Sequence, residues 1–415
     1  MIRKLLNYKM PQNLIFLIDI MALLLLYFYK DGFDEFILVS GVLLAFLIYL
    51  SNFILIKTSS GDHYIFLIMA MLVSIGIIMI YRIDPSYGFK QITWFGIGIA
   101  TFFFFYAMTK NIKGFEKWCE FYVGISMALF LFTLVFGVKI KGATNWIKIG
   151  GFSFQPAELI KILFVFFLAS YYVQKEKIKN TYIFIGIVYT YIGFLFIQRD
   201  LGTAMIFYFV FMTIFYIFEE DRKLIYYNLV GAFVIAVLSY FFINHVKIRI
   251  VTWLNPWPYI DNKGYQITQS LFAIASGGFF GTGIGLGHPE FIPEVHTDFI
   301  FSAICEEMGI FGGIGVIMLF LILVYRGFKI ALNQHNRFFK IIALGMTAML
   351  GFQAFIIIAG VIKMIPLTGV TLPFVSYGGS SLVSSFAALG ILQVASEEVE
   401  LEQEEKNGHY IQEDR

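Results

Sequence analysis

The sequence predicts an all-α, polytopic integral membrane protein with about twelve transmembrane helices and one long extracellular loop that contains an amphipathic helix. Three observations predict it. Of the 415 residues, 59% are hydrophobic and only 14% charged, with a mean hydropathy of +0.78, whereas soluble domains are about a quarter charged. Apolar runs of about 20 residues, the length that crosses the hydrocarbon core, follow one another with short connections. One connection, residues 244–298, is instead long, aromatic and glycine-rich. A water-soluble fold could not hide that much apolar surface, and the short connections leave no room for a large soluble domain.

Apolar windows place spans near 13–29, 35–56, 64–81, 91–108, 118–138, 155–172, 182–197, 201–218, 225–243, 299–325, 338–362 and 377–396. The first ten residues carry Arg3, Lys4 and Lys9. No small-residue cleavage site follows the apolar stretch from Asn13, so the first span is expected to stay in place. The spans 182–197 and 201–218 are separated only by Gln198, Arg199 and Asp200, which implies a tight, buried-headed turn. An even count puts both termini on one side. Placed in the cytoplasm, that side holds Arg3, Lys4, Lys9, Lys57, Lys110, Lys113, Lys117, Lys175, Lys177, Lys179, Arg222, Arg326 and Arg337, more basic residues than the opposite loops, as the positive-inside rule requires. The tail from Ser396 to Arg415 is acid-rich, lacks apolar periodicity and reads as a disordered cytoplasmic end. Cys119 and Cys305 fall near opposite faces, so neither a disulfide nor a thiolate metal site is expected. A net charge of +2, spread among loops, gives no reason to expect a nucleic-acid partner.

The long loop contains Trp253, Trp257, Tyr259 and Tyr265, then apolar residues at helical spacing from Ile267 to Ser276, then Gly277, Gly278, Gly281, Gly283, Gly285 and Gly287. Such a mix suits a segment that lies in the headgroup layer and folds back onto the bundle. Long ordered loops are usually functional.

Ionisable groups at membrane depth are costly, so each needs a reason. Glu158 and Lys161 stand at i and i+3 and can pair on one helical face. Alternatively, Lys161 joins Lys139, Lys141 and Lys148 in an external basic surface for a phosphate group. Arg199 and Asp200 read equally as a mutually paired turn or as functional groups. Asp19 in the first span reads as a packing or helix-contact residue. The densest cluster is Glu294, His296, Thr297 and Asp298, followed by Glu306 and Glu307 in the next span. Thr297 or Asp298 is suited to cap that helix, and Glu306 is expected as a supporting group below Asp298. A carboxylate in a half-wet, apolar-walled place can have its proton affinity raised, which suits Asp298 to act as a general base. No metal-ligand spacing is present, although Asp298 could hold a divalent cation beside a phosphate. Between the last two spans, Lys363 to Ser381 contains Pro366, Pro373, Gly369, Gly378 and Gly379 with Ser376, Ser380 and Ser381. These small residues let helices approach closely or let a helix start receive a phosphate.

These strings resemble the SEDS family (shape, elongation, division and sporulation proteins), which includes the RodA and FtsW polymerases of bacterial cell-wall synthesis. The resemblance is carried by four motifs in order: Gly142 to Ile147 with Gln155 to Lys161; Asp200-Leu201-Gly202-Thr203; Gly264-Tyr265-Gln266 leading to His296-Thr297-Asp298-Phe299 and Glu306-Glu307; and Pro366 to Gly369 with Pro373 to Ser381. Asn145 stands where the family often has Arg, Ala157 where Ser is common, and Arg199 where Pro usually precedes the Asp-Leu-Gly turn. The resemblance divides the chain into a two-helix N-terminal addition (1–61), a ten-helix core (62–396) with the large loop 244–298, and an acidic tail (397–415).

The resemblance implies a bacterial cytoplasmic-membrane glycosyltransferase that joins lipid II, the disaccharide-pentapeptide on undecaprenyl pyrophosphate, into glycan strands at the outer face, with a class B penicillin-binding protein as partner. On that reading Asp298 is the base of an inverting transfer. Substrate contacts fall to Glu158, Lys161, Arg249, His296, Lys363, Ser376 and Ser380, and supporting roles to Gln155, Asp200, Glu306 and Glu307. Lys161, Arg249, Lys363 and a divalent cation, Mg or Mn, are the candidates to stabilise the leaving group. Two rivals from other classes remain, a lipid II flippase and a noncatalytic scaffold for the penicillin-binding protein.

Overall fold

The computed structural model describes residues 2–29, 35–140, 143–149, 152–175 and 180–413; Lys141, Gly142, Lys177 and Lys179 lie outside the described residues. The expected spans follow one another as α1 (Ile2–Tyr29), α2 (Glu35–Thr58), α3 (His63–Ile83), α4 (Pro85–Asn111), α5 (Cys119–Phe136), α6 (Pro156–Val173), α7 (Thr181–Ile197), α8 (Leu201–Phe218) and α9 (Arg222–Phe242). The long loop then carries α10 (Asn244–Leu254) and α11 (Tyr265–Gly277), and the chain closes with α12 (Ile300–Asn333), α13 (Arg337–Val361) and α14 (Gly379–Glu413). Ten of these helices are long and apolar enough to cross a membrane; α1 and α7 carry shorter apolar stretches, Pro11–Ala22 and Thr181–Ile197. The protein is a multi-pass membrane protein.

Helices that are apolar all round belong in the middle of a bundle, where every face meets another helix. Over their most apolar windows α3 and α14 are 89% buried and α6 and α13 83%, against 17% for α9, so α9 is the most lipid-facing of the ten. α14 packs chiefly on α4, and α13 on α12, α8 and α6. At the end of the bundle opposite α10 and α11, polar side chains tie the helix ends together. Arg326 of α12 forms a two-pronged pair with Asp62 at 2.7 Å on both contacts, and Ser396 of α14 accepts from the Asp62 amide.

Three features depart from the sequence expectations. First, the α5–α6 connection forms a three-stranded antiparallel sheet, β1 (Val138–Ile140), β2 (Ala143–Ile149) and β3 (Phe152–Phe154), in the order β1-β2-β3. Its period-two pattern, Val138-Lys139-Ile140 and Trp146-Ile147-Lys148-Ile149, is a strand signal, so the all-α core carries a small β appendage. Second, the acid-rich end, expected to be disordered, continues α14 as helix to Glu413, in keeping with its Glu, Gln, Leu and Lys content, all good helix formers.

Third, α12 is broken at Gly309, whose φ of 69° and ψ of −174° are not helical. The break is filled by the glycine-rich end of the long loop. In an intact helix the amides of Ile310 and Phe311 would bond the carbonyls of Glu306 and Glu307. Here they bond the Gly278 and Phe279 carbonyls (3.0 and 3.4 Å), while the Glu306 and Glu307 carbonyls take the amides of Thr282 and Gly283 (2.9 and 3.0 Å). Every backbone group lost by the helix is thus replaced, as membrane depth demands. A Cβ on Gly281 would lie 2.1 Å from the Glu307 carbonyl oxygen, and one on Gly309 2.3 Å from that of Phe279, so only glycine permits this approach.

Candidate functional site

Asp298 is half-buried just before α12. The expected cap is absent: the residue before the helix is Phe299 and makes no side-chain cap bond. Thr297 instead donates its hydroxyl to the Glu294 carbonyl at 3.0 Å. The segment is held from the α13–α14 connection. Ser376 donates to the Thr297 carbonyl at 2.6 Å and accepts from the Leu372 amide at 2.9 Å, and the Tyr377 amide donates to the His296 carbonyl at 2.8 Å. The His296 ring stacks on Tyr87 of α4, with centroids 4.6 Å apart, meets Tyr377 edge-on and has Glu294 at 3.7 Å. Ser376 and His296 therefore anchor the Asp298 loop. At the α3–α4 corner nearby, the Ser86 hydroxyl holds Asp84 below the usual carboxylate range, with weak desolvation opposing and the charge of His296 contributing least.

Asp298 faces Arg249 of α10. The Arg249 guanidinium donates through Nη1 to the Thr368 carbonyl at 2.9 Å, and a Cβ on the next residue, Gly369 (φ 79°), would lie 3.5 Å from Asp298 Oδ2 and 3.9 Å from Arg249 Nη2. A Cβ here would therefore touch both charged groups, at a backbone angle that favours glycine. α10 is placed by Trp253, whose indole N–H bonds the Lys363 carbonyl at 3.0 Å. Burial pulls the Arg249 guanidinium below its usual pKa, while Asp200 and Asp298 push it back up.

Asp200 forms the head of the α7–α8 turn. Its Oδ1 accepts from the Thr203 amide at 3.1 Å, capping α8, and its Oδ2 accepts from Asn145 at 2.9 Å and Gln155 at 2.7 Å. Of the two readings of Arg199 and Asp200, the paired turn is not made: Arg199 sits at φ 62° with an exposed side chain, and these amides satisfy Asp200. Gln155 and Asp200, each given a supporting role by the resemblance, meet here, and Asn145 takes part although only its departure from the family pattern had marked it.

Glu306 and Glu307 clamp the glycine loop, a supporting role. Glu306 accepts from the His288 amide at 2.9 Å; Glu307 accepts from the Gly285 amide at 3.0 Å and pairs with Arg82 at 2.9 Å. One further expectation is corrected. Lys161 is not part of an external basic surface. Its side chain is 2% exposed, pairs with Glu158 at 2.8 Å and donates to Gln353 at 2.8 Å, while Glu158 also accepts from Ser384. Lys139 and Lys148 are exposed on the sheet. Lys363 is half-buried beside α10, and the Ser380 hydroxyl is buried with no hydrogen-bond partner. The sequence reading missed Arg82, Tyr87 and Thr368. Arg82 had one signal, a lone cation at the end of a span opposite the basic side.

Among the described residues no group of three or more His, Cys, Asp or Glu side chains gathers to hold a metal ion. Asp298 looks onto a guanidinium, so the chain alone does not build a resident cation site there.

Comparison with known proteins shows the family. The family model FTSW_RODA_SPOVE, described as cell cycle protein, matches residues 62–401. The chain is 35% identical over 363 residues to stage V sporulation protein E of Bacillus subtilis, covering 81% of this chain and 97% of that protein. It is 32% identical over 356 residues to the peptidoglycan glycosyltransferase RodA of Mycobacterium tuberculosis, covering 78% and 76%. Among solved structures it resembles a chain from work on the structural coordination of polymerization and crosslinking by a peptidoglycan synthase complex, with 26% identity, a TM-score of 0.67 and coverage of 82% and 98%. It also resembles the Thermus thermophilus rod shape determining protein RodA, with 26% identity, a TM-score of 0.63 and the same coverage. The chain belongs to the family of cell cycle proteins that comprises FtsW, RodA and SpoVE.

Proposed function

We propose that the chain is a peptidoglycan glycosyltransferase that polymerises lipid II at the outer face of the bacterial cytoplasmic membrane, with both termini in the cytoplasm and a class B penicillin-binding protein as its crosslinking partner. The ten helices from α3 onward, excluding α10 and α11, form the catalytic core, and α1 and α2 are an addition to it. The observation that carries this reading is Asp298 and Arg249 facing each other across Gly369, in a chain whose relatives include named peptidoglycan glycosyltransferases.

The Asp298 carboxylate accepts the proton of the acceptor sugar's 4-hydroxyl. That oxygen attacks the anomeric carbon of the donor chain from the face opposite the lipid. The bond from that carbon to the pyrophosphate oxygen breaks, its electron pair leaves with undecaprenyl pyrophosphate, and configuration inverts. General-base help of this kind is worth about 10²–10⁴ in rate. Arg249, fixed by Thr368, stabilises charge on the departing pyrophosphate. A divalent cation would arrive with the phosphates, since one carboxylate plus phosphate oxygens is an ordinary Mg²⁺ donor set, and no step above runs through it.

Transport of lipid II is the second reading, favoured by the ion pair Glu158–Lys161 between interior helices. Purified protein, with and without the penicillin-binding protein, is incubated with labelled lipid II and the products are run on a gel. Glycan ladders are expected. Intact lipid II in both lanes overturns the polymerase reading.

A further inference from the structure

Gln353 lies late in α13 and is 2% exposed. Its side-chain oxygen accepts from Lys161 Nζ at 2.8 Å. Its Nε2 donates to the Thr371 carbonyl at 3.0 Å and to the Ser381 hydroxyl oxygen at 3.3 Å. A side-chain amide suits this place because it carries an acceptor and two donors on one planar group. The transfer step above uses none of these contacts.

Followed outward from Lys161, the contacts run in one direction. The Thr371 carbonyl belongs to the same peptide as the Leu372 amide, and that amide donates to Ser376 Oγ at 2.9 Å. Ser376 Oγ donates in turn to the Thr297 carbonyl at 2.6 Å, which is part of the peptide that joins Thr297 to Asp298. Four hydrogen bonds are thus laid head to tail, from the Lys161 ammonium through Gln353, the Thr371–Leu372 peptide and Ser376 to the backbone at Asp298. Each unit accepts on one side and donates on the other, the arrangement in which hydrogen bonds polarise and strengthen one another. The inner end is fixed, because Lys161 pairs with Glu158 at 2.8 Å and Glu158 accepts from Ser384 of α14. Two bonds brace the outer end. Gln91 of α4 donates to the Ser376 carbonyl at 3.1 Å, and the Tyr377 amide donates to the His296 carbonyl at 2.8 Å.

We infer that Gln353 is a positioning residue: it ties the α13–α14 connection to the buried Lys161 ammonium, and through that connection it fixes the backbone of the loop that carries Asp298. The inference rests on the polymerase reading for its effect on rate, whereas the tie itself does not. Loops are the mobile parts of a fold, and a reacting group displaced by about 1 Å loses about 10² in rate. A loop that carries a base therefore needs an anchor in the rigid interior, and the Glu158–Lys161 pair supplies its fixed end.

Three variants of the full-length purified protein test the inference. Gln353→Met keeps the volume and removes every polar contact of the side chain. Gln353→Asn is one methylene shorter and cannot span both Lys161 and the Thr371 carbonyl. Ser376→Ala breaks the series at its outer end. Hydrogen–deuterium exchange is read in the peptides that contain Leu372 and Tyr377, and kcat and KM for lipid II polymerisation are measured beside the thermal midpoint. Exchange at both amides is expected to rise about tenfold in each Gln353 variant, and kcat to fall about tenfold with KM within about twofold of the parent. Gln353→Met combined with Ser376→Ala should lose no more rate than the worse single variant, because both cut one series. If Gln353 only satisfies Lys161, its loss lowers the thermal midpoint and leaves exchange at Leu372 and Tyr377 unchanged. That result overturns the inference, as do rate losses that multiply in the double variant. Gln353→Asn takes the place of Gln353→Met in every reading if the latter fails to fold. A parent protein that makes no glycan overturns the polymerase reading alone, because the exchange still decides whether Gln353 holds the connection.

Discussion

Two charged constellations sit in this bundle and solve opposite problems. Between the interior helices, Glu158 and Lys161 close on each other at 2.8 Å, and Gln353 and Ser384 satisfy what remains. At the loop end, Arg249 is tied to a backbone carbonyl and Asp298 is held across the open space above Gly369. The first arrangement neutralises charge where water is absent. The second holds its cation through a backbone carbonyl, at a glycine that both charged groups border. The difference teaches that an ion pair locked between interior helices and a pair of charges gathered at a loop end call for different tests, stability for the first and activity for the second.

Four substitutions sharpen or break this contrast. Asp298→Asn removes the base and is expected to lower lipid II polymerisation by about 10³-fold or more, with the thermal midpoint in detergent unchanged; ladders at the parental rate would end the catalytic assignment. Lys161→Met leaves Glu158 uncompensated and is expected to cost about 3–5 kcal/mol of stability, read as a lowered thermal midpoint. The double variant Glu158→Gln with Lys161→Met recovers most of that loss, and a double variant as unstable as the single would contradict the closed-pair reading. Arg249→Ala is expected to reduce kcat about 10²-fold while the protein stays folded, since its guanidinium is tied to a single backbone carbonyl.

The smallest effect is at the α3–α4 corner. Asp84 accepts from the Ser86 amide at 2.8 Å, so Asp84→Ala is expected to cost about 0.5–1 kcal/mol. Asp84 is held below its ordinary pKa of 3.8. A depressed folded pKa gives stability that is present above the unfolded value and lost as pH falls through the folded one. The parent and variant melting curves should therefore differ at neutral pH and converge once the pH falls through the depressed pKa of Asp84.

How far the molecule could be read in advance follows from the range over which each interaction acts. Continuous apolar runs are local, and each of the ten helices long and apolar enough to cross a membrane was legible from them. The Glu158–Lys161 pair was equally legible, because i and i+3 neighbours meet on any helix. The Arg82–Glu307 pair joins residues far apart in sequence, and no spacing rule connects them. The break at Gly309 was hidden because Glu306-Glu307-Met308-Gly309-Ile310-Phe311 reads as unbroken helix, and its cause lies in a different segment. The strands of β1 to β3 did carry an alternating pattern, but their short lengths sit between two long apolar helices that dominate any window. At the site, Asp298, Asp200 and Gln155 were each marked by motif, although not the bond between the last two, whereas Thr368 contributes only a carbonyl, which its side chain cannot advertise.

The exchange of bonds at the α12 break also has a kinetic signature. The amides of Thr282, Gly283, Ile310 and Phe311 are protected by one another's strands and by no regular helix or sheet. Opening any of these contacts exposes a neighbour in the same four-rung lattice, so in hydrogen–deuterium exchange the four should lose protection together, as one cooperative unit. Its ends are the loop tip at Phe280 and the short helical segment that begins two residues after Asp298.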